Sequence, residues 1–348
     1  MREAELLYYS GQLCPSHGLD SLGGLWYGAT AQGRGEAADV KTCFLFPGQG
    51  AQYPGMGKDL WDASDKVKEL FRQASEASGM DLTRLLFEGS EDELKATDKT
   101  QVAVTLINVA AGLVCRERGL EPAGFAGFSL GEYTALYEAG VLRLEDLFPV
   151  VKTRGLLMEK ASRGADTAGG RAGMAAVIGL GYAEALKALE TLQGEQVCLA
   201  NYSSPKQVVL SGTAEGLASA EAAFEAAGAR RFIVLKVSGP FHSPLLEEAR
   251  QGLEAALAKV PFADPRHPVY SNVTGKRIAS GEEARKLCVR QVVSTVRWVD
   301  EEQSILADGF QRCLEVGPGS VLGGLWKAFS KDVPCLPAGK QAEIAAIA

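Results

Sequence analysis

Apolar and polar positions show no sustained periodicity over residues 1–39, and a regular pattern begins abruptly at Val40. There Val40-Lys41-Thr42-Cys43-Phe44-Leu45-Phe46 reads as a first strand. Downstream, Leu60, Val67, Leu70, Phe71 and Ala74 recur at helical spacing, and Ser90-Glu91-Asp92-Glu93 has the form of a capping box opening a short helix. Val102 to Cys115 is almost wholly apolar but only 14 residues long, and it includes Thr105 and Asn108. A bilayer needs roughly 20 residues, so this segment predicts a buried helix that stops before Gly119. The Ala/Gly-rich stretch Pro122 to Gly127 reads as a short strand leading into a helix over Glu132 to Ala139. Strands alternating with helices predict a parallel sheet covered on both faces.

Between Gly164 and Gly173 the composition shifts to Gly, Ala and Asp, which predicts a flexible hinge and the start of a second unit. Its pattern reads strand (Met174 to Ile178), helix (Tyr182 to Leu192), strand (Gln196 to Asn201), strand (Gln207 to Ser211), helix (Ala214 to Ala227) and strand (Arg231 to Val237). That βαββαβ order is the ferredoxin-like pattern. The α/β pattern then resumes, with strands predicted near Val269 to Ser271 and Arg312 to Val316. The chain therefore divides into an extension over 1–39, a large α/β domain built from 40–165 and 238–348, and a small subdomain inserted over 166–237.

Composition narrows the function classes. With 46% hydrophobic and 23% charged residues the 348-residue chain is that of a soluble globular protein. A net charge of −7 opposes binding to a phosphate backbone, so no nucleic-acid partner is expected, and no membrane partner either. The seven cysteines (Cys14, Cys43, Cys115, Cys198, Cys288, Cys313, Cys335) show no C-x-x-C pair and no metal-ligand spacing, which predicts reduced thiols and a cytoplasmic location. Residues 1–39 lack the basic start and apolar centre of a secretory signal. The native chain is expected to start near Val40, from an alternative initiation codon, with the extension poorly ordered or absent.

The candidate chemistry lies in loops after strands. Gly127-Phe128-Ser129-Leu130-Gly131 is a G-x-S-x-G sequence between a predicted strand and a predicted helix, the context of a nucleophile elbow. The plain alternative is a serine N-cap among packed glycines. A serine needs a neighbouring base, normally histidine, and the chain has three. His17 lies in the extension and His267 in a polar loop beside Arg266 and Pro268. Elimination leaves His242, in the Pro-rich segment Ser238 to Pro244, although a loop histidine taken singly is more often an exposed bystander. Phe46-Pro47-Gly48-Gln49-Gly50-Ala51-Gln52 fails as a dinucleotide fingerprint, because position 53 is tyrosine. It reads better as the source of one backbone N–H of an oxyanion hole, the second coming from Leu130. Arg154 alone would be a solvated surface arginine, and its functional reading is a guanidinium fork for the free carboxylate of a dicarboxylic acyl group.

From Val40 onward the chain resembles the malonyl-CoA:acyl carrier protein transacylase family. Five segments match in order: Phe46-Pro47-Gly48-Gln49-Gly50 with Gln52; Ser129-Leu130-Gly131-Glu132-Tyr133; Thr153-Arg154-Gly155; Gly239-Pro240-Phe241-His242-Ser243; and Glu315-Val316-Gly317-Pro318-Gly319. The resemblance implies an α/β-hydrolase-like large domain carrying the ferredoxin-like subdomain. It implies Ser129 as the acylated nucleophile and His242 as general base and then general acid. Arg154 would hold the malonyl carboxylate, and the N–H groups of Gln49 and Leu130 would form the oxyanion hole. It further implies that the Gln291 carbonyl orients the histidine, that Phe241 crowds out an α-methyl branch, and that Asn201 faces the cleft. The implied substrates are malonyl-CoA and holo acyl carrier protein, with a monomeric enzyme and no metal or redox cofactor. One departure stands out: Phe128 precedes the nucleophile where the family usually has histidine. Rival readings are the malonyl-transferring subunit of a malonate decarboxylase, a serine thioesterase or other hydrolase, and a non-catalytic carrier-binding module.

Overall fold

The structure is a computed structural model describing residues 40–194 and 196–348. The extension over 1–39, the expected start near Val40, Cys14 and His17 all lie outside the described residues. Among the described residues eight strands form: β1 (Thr42–Phe46), β2 (Gly124–Gly127), β3 (Gly173–Ile178), β4 (Val197–Ser204), β5 (Gln207–Gly212), β6 (Arg231–Val234), β7 (Arg312–Glu315) and β8 (Cys335–Pro337). They make two four-stranded sheets, one parallel in the order β2-β1-β7-β8 and one antiparallel in the order β4-β5-β3-β6.

β1 is buried at every position, as a central parallel strand with both faces covered must be. Phe44 and Phe46 face one core and Cys43 and Leu45 the other. The apolar run at 102–115 lies within a longer helix, Thr97–Glu117, that is buried along most of its length. It packs against the helix Leu144–Gly164, and the two backbones approach closely at Gly155, where a Cβ would sit 2.8 Å from the Asp98 Cα. The antiparallel sheet has a core of its own, built from Val177, Leu199, Val208, Leu210, Leu217 and Phe224. With the helices Tyr182–Glu190 and Ala214–Ala226 it shows the expected βαββαβ order.

Three local expectations need correction. The apolar pattern from Leu60 to Ala74 spans two helices, Lys58–Ala63 and Asp65–Ser78, because Ser64 between them is extended. No strand forms at Val269 to Ser271. Pro268 and Tyr270 each exchange one bond with Phe125, and the chain then turns back on itself through Ser271, Gly275 and Lys276. The last strand of the small sheet ends at Val234 rather than Val237. In the segment read as a hinge, Glu215 accepts bonds from the Thr167 hydroxyl (2.8 Å) and the Gly169 N–H (3.1 Å).

The small sheet meets the large unit through main-chain bonds at β4, where the Tyr202 N–H donates to Val296 and the Val296 N–H to Ala200, each at 2.8 Å. From β5, the Ser211 hydroxyl donates to the Phe241 carbonyl. These bonds fix the two segments that carry His242 and Gln291. No described helix is long and apolar enough to cross a membrane.

The helix contact at Gly155 yields a test. Replacing glycine by alanine inside a helix normally stabilises it, by about 1 kcal/mol. Here the added methyl meets the backbone of residues 97 and 98, so Gly155→Ala should instead lower the unfolding free energy by about 1–3 kcal/mol in a urea titration. A gain in stability would mean that the two helices separate without penalty.

Candidate active site

Ser129 sits on the turn between β2 and the helix Gly131–Glu138. The flanking glycines are there because nothing larger fits. A Cβ on Gly127 would lie 2.0 Å from the Gly131 carbonyl carbon, and one on Gly131 would lie 2.0 Å from the Phe46 carbonyl oxygen. Main-chain bonds from Phe128 N–H to Phe46 and from Gly131 N–H to Phe128, each 2.9 Å, close the turn. Ser129 is thereby held at φ 51°, a left-handed conformation that non-glycine residues rarely adopt. The other such residue among those described is His242, at φ 58°.

The two meet although 113 residues separate them: the Ser129 Oγ lies 2.7 Å from the His242 Nε2. The His242 Nδ1 is 2.8 Å from the Gln291 carbonyl oxygen. A carbonyl only accepts, so Nδ1 carries the proton and Nε2 is free to accept from the serine hydroxyl. Burial, followed by the positive charge of Arg154, lowers the His242 pKa to about 4, against a smaller upward pull from the Gln291 carbonyl. The imidazole is therefore neutral at pH 7, as a general base must be.

Arg154 is not a surface residue. It is 1% exposed, on the inward face of the helix Leu144–Gly164. Its Nη1 donates to the Gln101 side-chain oxygen at 2.9 Å, and its Nη2 to the Gln291 side-chain oxygen at 2.8 Å and the Ser129 Oγ at 3.2 Å. Its face stacks over the Tyr133 ring, 5.3 Å from the ring centre. Among these partners none is a carboxylate, so a buried guanidinium faces the Ser129 hydroxyl with neutral groups as its direct acceptors.

Gly48 brings the loop after β1 against the elbow, since a Cβ there would lie 2.4 Å from the Phe128 carbonyl and 3.5 Å from the Leu130 nitrogen. Among the described residues, the N–H groups of Gln49 and Leu130 donate to no other group. Phe241 is buried beside His242, and Phe128 packs its ring 5.5 Å from that of Trp298 while lining a small cleft with Gln49 and Leu322. Asn201 is buried on β4, opposite Val296. His267 stacks edge-on against Phe125, away from this group.

The site holds more than the sequence reading named, both in the side chain of Gln291, read there only for its carbonyl, and in residues left out of it. The Gln291 side chain donates from Nε2 to the Ser129 carbonyl (2.9 Å) and to Glu132 (2.7 Å), so Gln291 acts through side chain as well as backbone. Gln101 partners Arg154. Asn272 bonds the Ser129 N–H and the Gly127 carbonyl, and Asn108 donates to the Pro47 carbonyl at 2.9 Å, behind the Gln49 loop. Asn108 alone left a signal, as an amide inside an apolar helix. Glu132, wholly buried, has its pKa raised to about 7 by burial, against the pull of its bonds to Gln291 and Asn272.

Residues 43–339 match the family described as the acyl transferase domain. The chain belongs to that family, and within it to the malonyl-CoA:acyl carrier protein transacylases. It is 38% identical over 294 residues to the malonyl CoA-acyl carrier protein transacylase of Bacillus subtilis, covering 84% of this chain and 91% of that one. To the transacylase of Escherichia coli K12 it is 41% identical over 286 residues, 82% of this chain and 91% of the other. Among solved structures, the acyl carrier protein S-malonyltransferase of Vibrio cholerae superposes with a TM-score of 0.84 at 36% identity, covering 88% of this chain and all of that one. A malonyl-transacylase solved in complex with its type II polyketide acyl-carrier protein superposes at 0.83 with 37% identity, over 88% and 98%.

The low histidine pKa predicts how the reactivity of the Ser129 hydroxyl responds to acid. Phosphonylation of Ser129 by a fluorophosphonate should keep its neutral-pH rate down to about pH 5 and fall to half near pH 4, well below the value of about 6.5 for a free imidazole. His242→Ala should slow labelling by about 10²–10⁴-fold. A half-point near 6.5 in the parent protein would show that the imidazole is solvated.

Proposed function

We propose that this acyltransferase moves a malonyl group from malonyl-CoA to the phosphopantetheine thiol of holo acyl carrier protein through a malonyl ester on Ser129. The observation that carries the reading is the buried Arg154 guanidinium 3.2 Å from the Ser129 oxygen, ringed by neutral acceptors. A cation so placed favours an acyl group with a free carboxylate at its far end over a neutral one.

His242 takes the Ser129 proton as the oxygen attacks the thioester carbonyl. The N–H groups of Gln49 and Leu130 receive the developing oxyanion, and coenzyme A leaves as its thiol with the proton from His242. The carrier thiol then enters, gives its proton to His242, and attacks the ester; Ser129 leaves with that proton restored. The Gln291 carbonyl keeps the imidazole in the required tautomer throughout. Phe241, against the histidine, limits the room beside the acyl α-carbon, and Asn201 faces the cleft from the small sheet. The chemistry needs no metal or redox cofactor. A backbone carbonyl behind His242, where triad hydrolases place a carboxylate, supports transfer over simple ester hydrolysis.

The accompanying fold reading is an α/β-hydrolase-like large domain over 40–165 and 238–348 with a ferredoxin-like insertion over 166–237. It is supported by the strand–Ser129–helix turn at the end of β2 and by the antiparallel order β4-β5-β3-β6. A cytoplasmic monomer acting on soluble thioesters completes the proposal.

In an assay of malonyl transfer to holo acyl carrier protein, Ser129→Ala should abolish both transfer and the malonyl adduct seen by intact mass. Arg154→Ala should lower kcat/KM for malonyl-CoA by about 10²–10³-fold while leaving the low acetyl-CoA rate within about tenfold. Equal losses on both substrates would refute a carboxylate-binding role. Phe128→His, which restores the usual family residue, should keep turnover within about tenfold, since the ring faces Trp298 rather than the reacting atoms. A change of several hundredfold would place residue 128 in the chemistry.

A further inference from the structure

Ser129 is held in its left-handed conformation by more than the glycines beside it. Asn272, fully buried in the turn that follows the Phe125 bridge, reaches both sides of the nucleophile. Its Oδ1 accepts from the Ser129 N–H at 2.6 Å and its Nδ2 donates to the Gly127 carbonyl at 2.8 Å. Only one orientation of the amide satisfies both bonds, because an N–H must meet the oxygen and a carbonyl the nitrogen. That orientation is held in turn. The second Nδ2 proton goes to the Glu301 Oε1 at 2.7 Å, and the Asn272 N–H donates to the Glu132 Oε2 at 3.1 Å. Both glutamates are completely buried.

We propose that Asn272, oriented by Glu301, is the positioning residue of the nucleophile elbow. It clamps the Ser129 N–H and the Gly127 carbonyl so that the serine oxygen stays on the histidine and the Leu130 N–H stays turned to the cleft. The inference rests on Ser129 being the acylated residue. Without the clamp the Ser129 N–H is buried with no acceptor, and the strained turn gains a reason to relax toward ordinary φ values. A shift of about 1 Å at a reacting oxygen is enough to slow chemistry about 10²-fold. Arg154, by contrast, donates to Gln101, Gln291 and the Ser129 hydroxyl and not to Asn272. Gln291 links the two through a long 3.3 Å bond from its Nε2 to the Asn272 Oδ1, but it keeps the Ser129 carbonyl and Glu132 as acceptors, so binding of the acyl carboxylate should survive.

The test is single-turnover acylation of the full chain by malonyl-CoA, followed by quenched-flow intact mass and normalised to the fraction of protein that acquires the adduct. Asn272→Ala should lower the limiting acylation rate about 10²-fold with the half-saturating malonyl-CoA concentration changed less than about threefold. Loss of fold alone reduces the reactive fraction and leaves the normalised rate unchanged, and that result overturns the proposal. So does a rate loss that appears only as weaker saturation. Glu301 supplies a second series. Glu301→Gln keeps an acceptor for the Asn272 amide and should acylate within about twofold of the parent, whereas Glu301→Met removes it and should be slower by about tenfold. Equal normalised rates in that pair also overturn the proposal, even if Asn272→Ala does not fold. If the parent chain itself acquires no adduct, it is the malonyl-transfer reading that fails.

Discussion

The site depends on one backbone constraint, a serine held at φ 51° where strand, turn and helix are too close for any side chain at positions 127 and 131. A non-glycine residue in that conformation is disfavoured by about 1–3 kcal/mol and persists only where its surroundings leave no alternative. Here they leave none, because the elbow is bonded to the end of β1 and pressed by the Gln49 loop. The strain lifts the hydroxyl clear of the main chain and turns the next N–H toward the same space. The Ser129 hydroxyl and the Leu130 N–H thus owe their placement to one distortion.

The electrostatics follow from burial. Arg154 and His242 are both buried and both reach the Ser129 oxygen, and the fixed positive charge helps keep the imidazole neutral. A cation buried without a carboxylate is costly. This one is met by amide oxygens from Gln101 and Gln291, and Gln291 relays to Glu132 behind the elbow. The direct acceptors around the guanidinium remain neutral, so an anionic acyl group would bring the first full opposite charge to its open side.

Much of this was legible in the sequence, for reasons that differ by residue. β1, the Thr97–Glu117 helix and the βαββαβ unit were visible because burial there follows simple periods or continuous apolar runs. Ser129 was visible because its glycines are forced by contact. The fork-like reading of Arg154 gained weight through likeness to a family, since nothing in Lys152-Thr153-Arg154-Gly155 says that the helix turns that face inward. Gln291 could be read only through that likeness, and Asn272 and Gln101 not at all, because they act through amide bonds to residues far along the chain and a lone amide has no spacing to betray it. The supposed strand at Val269 misled because a short apolar run reads alike whether it pairs for two residues or five.

The Gln291 carbonyl that faces His242 belongs to the last residue of the helix Gly281–Gln291. Carbonyls at a helix C-terminus carry a partial negative charge, equivalent to roughly half an electron for the whole end. An imidazolium formed by taking the Ser129 proton would therefore be stabilised by peptide dipoles rather than by an ionised side chain. No exchange of one amino acid for another at position 291 can delete that oxygen. Inheritance of the histidine's hydrogen-bond partner is thus secured by the path of the main chain, leaving the side chain at that position to serve the arginine.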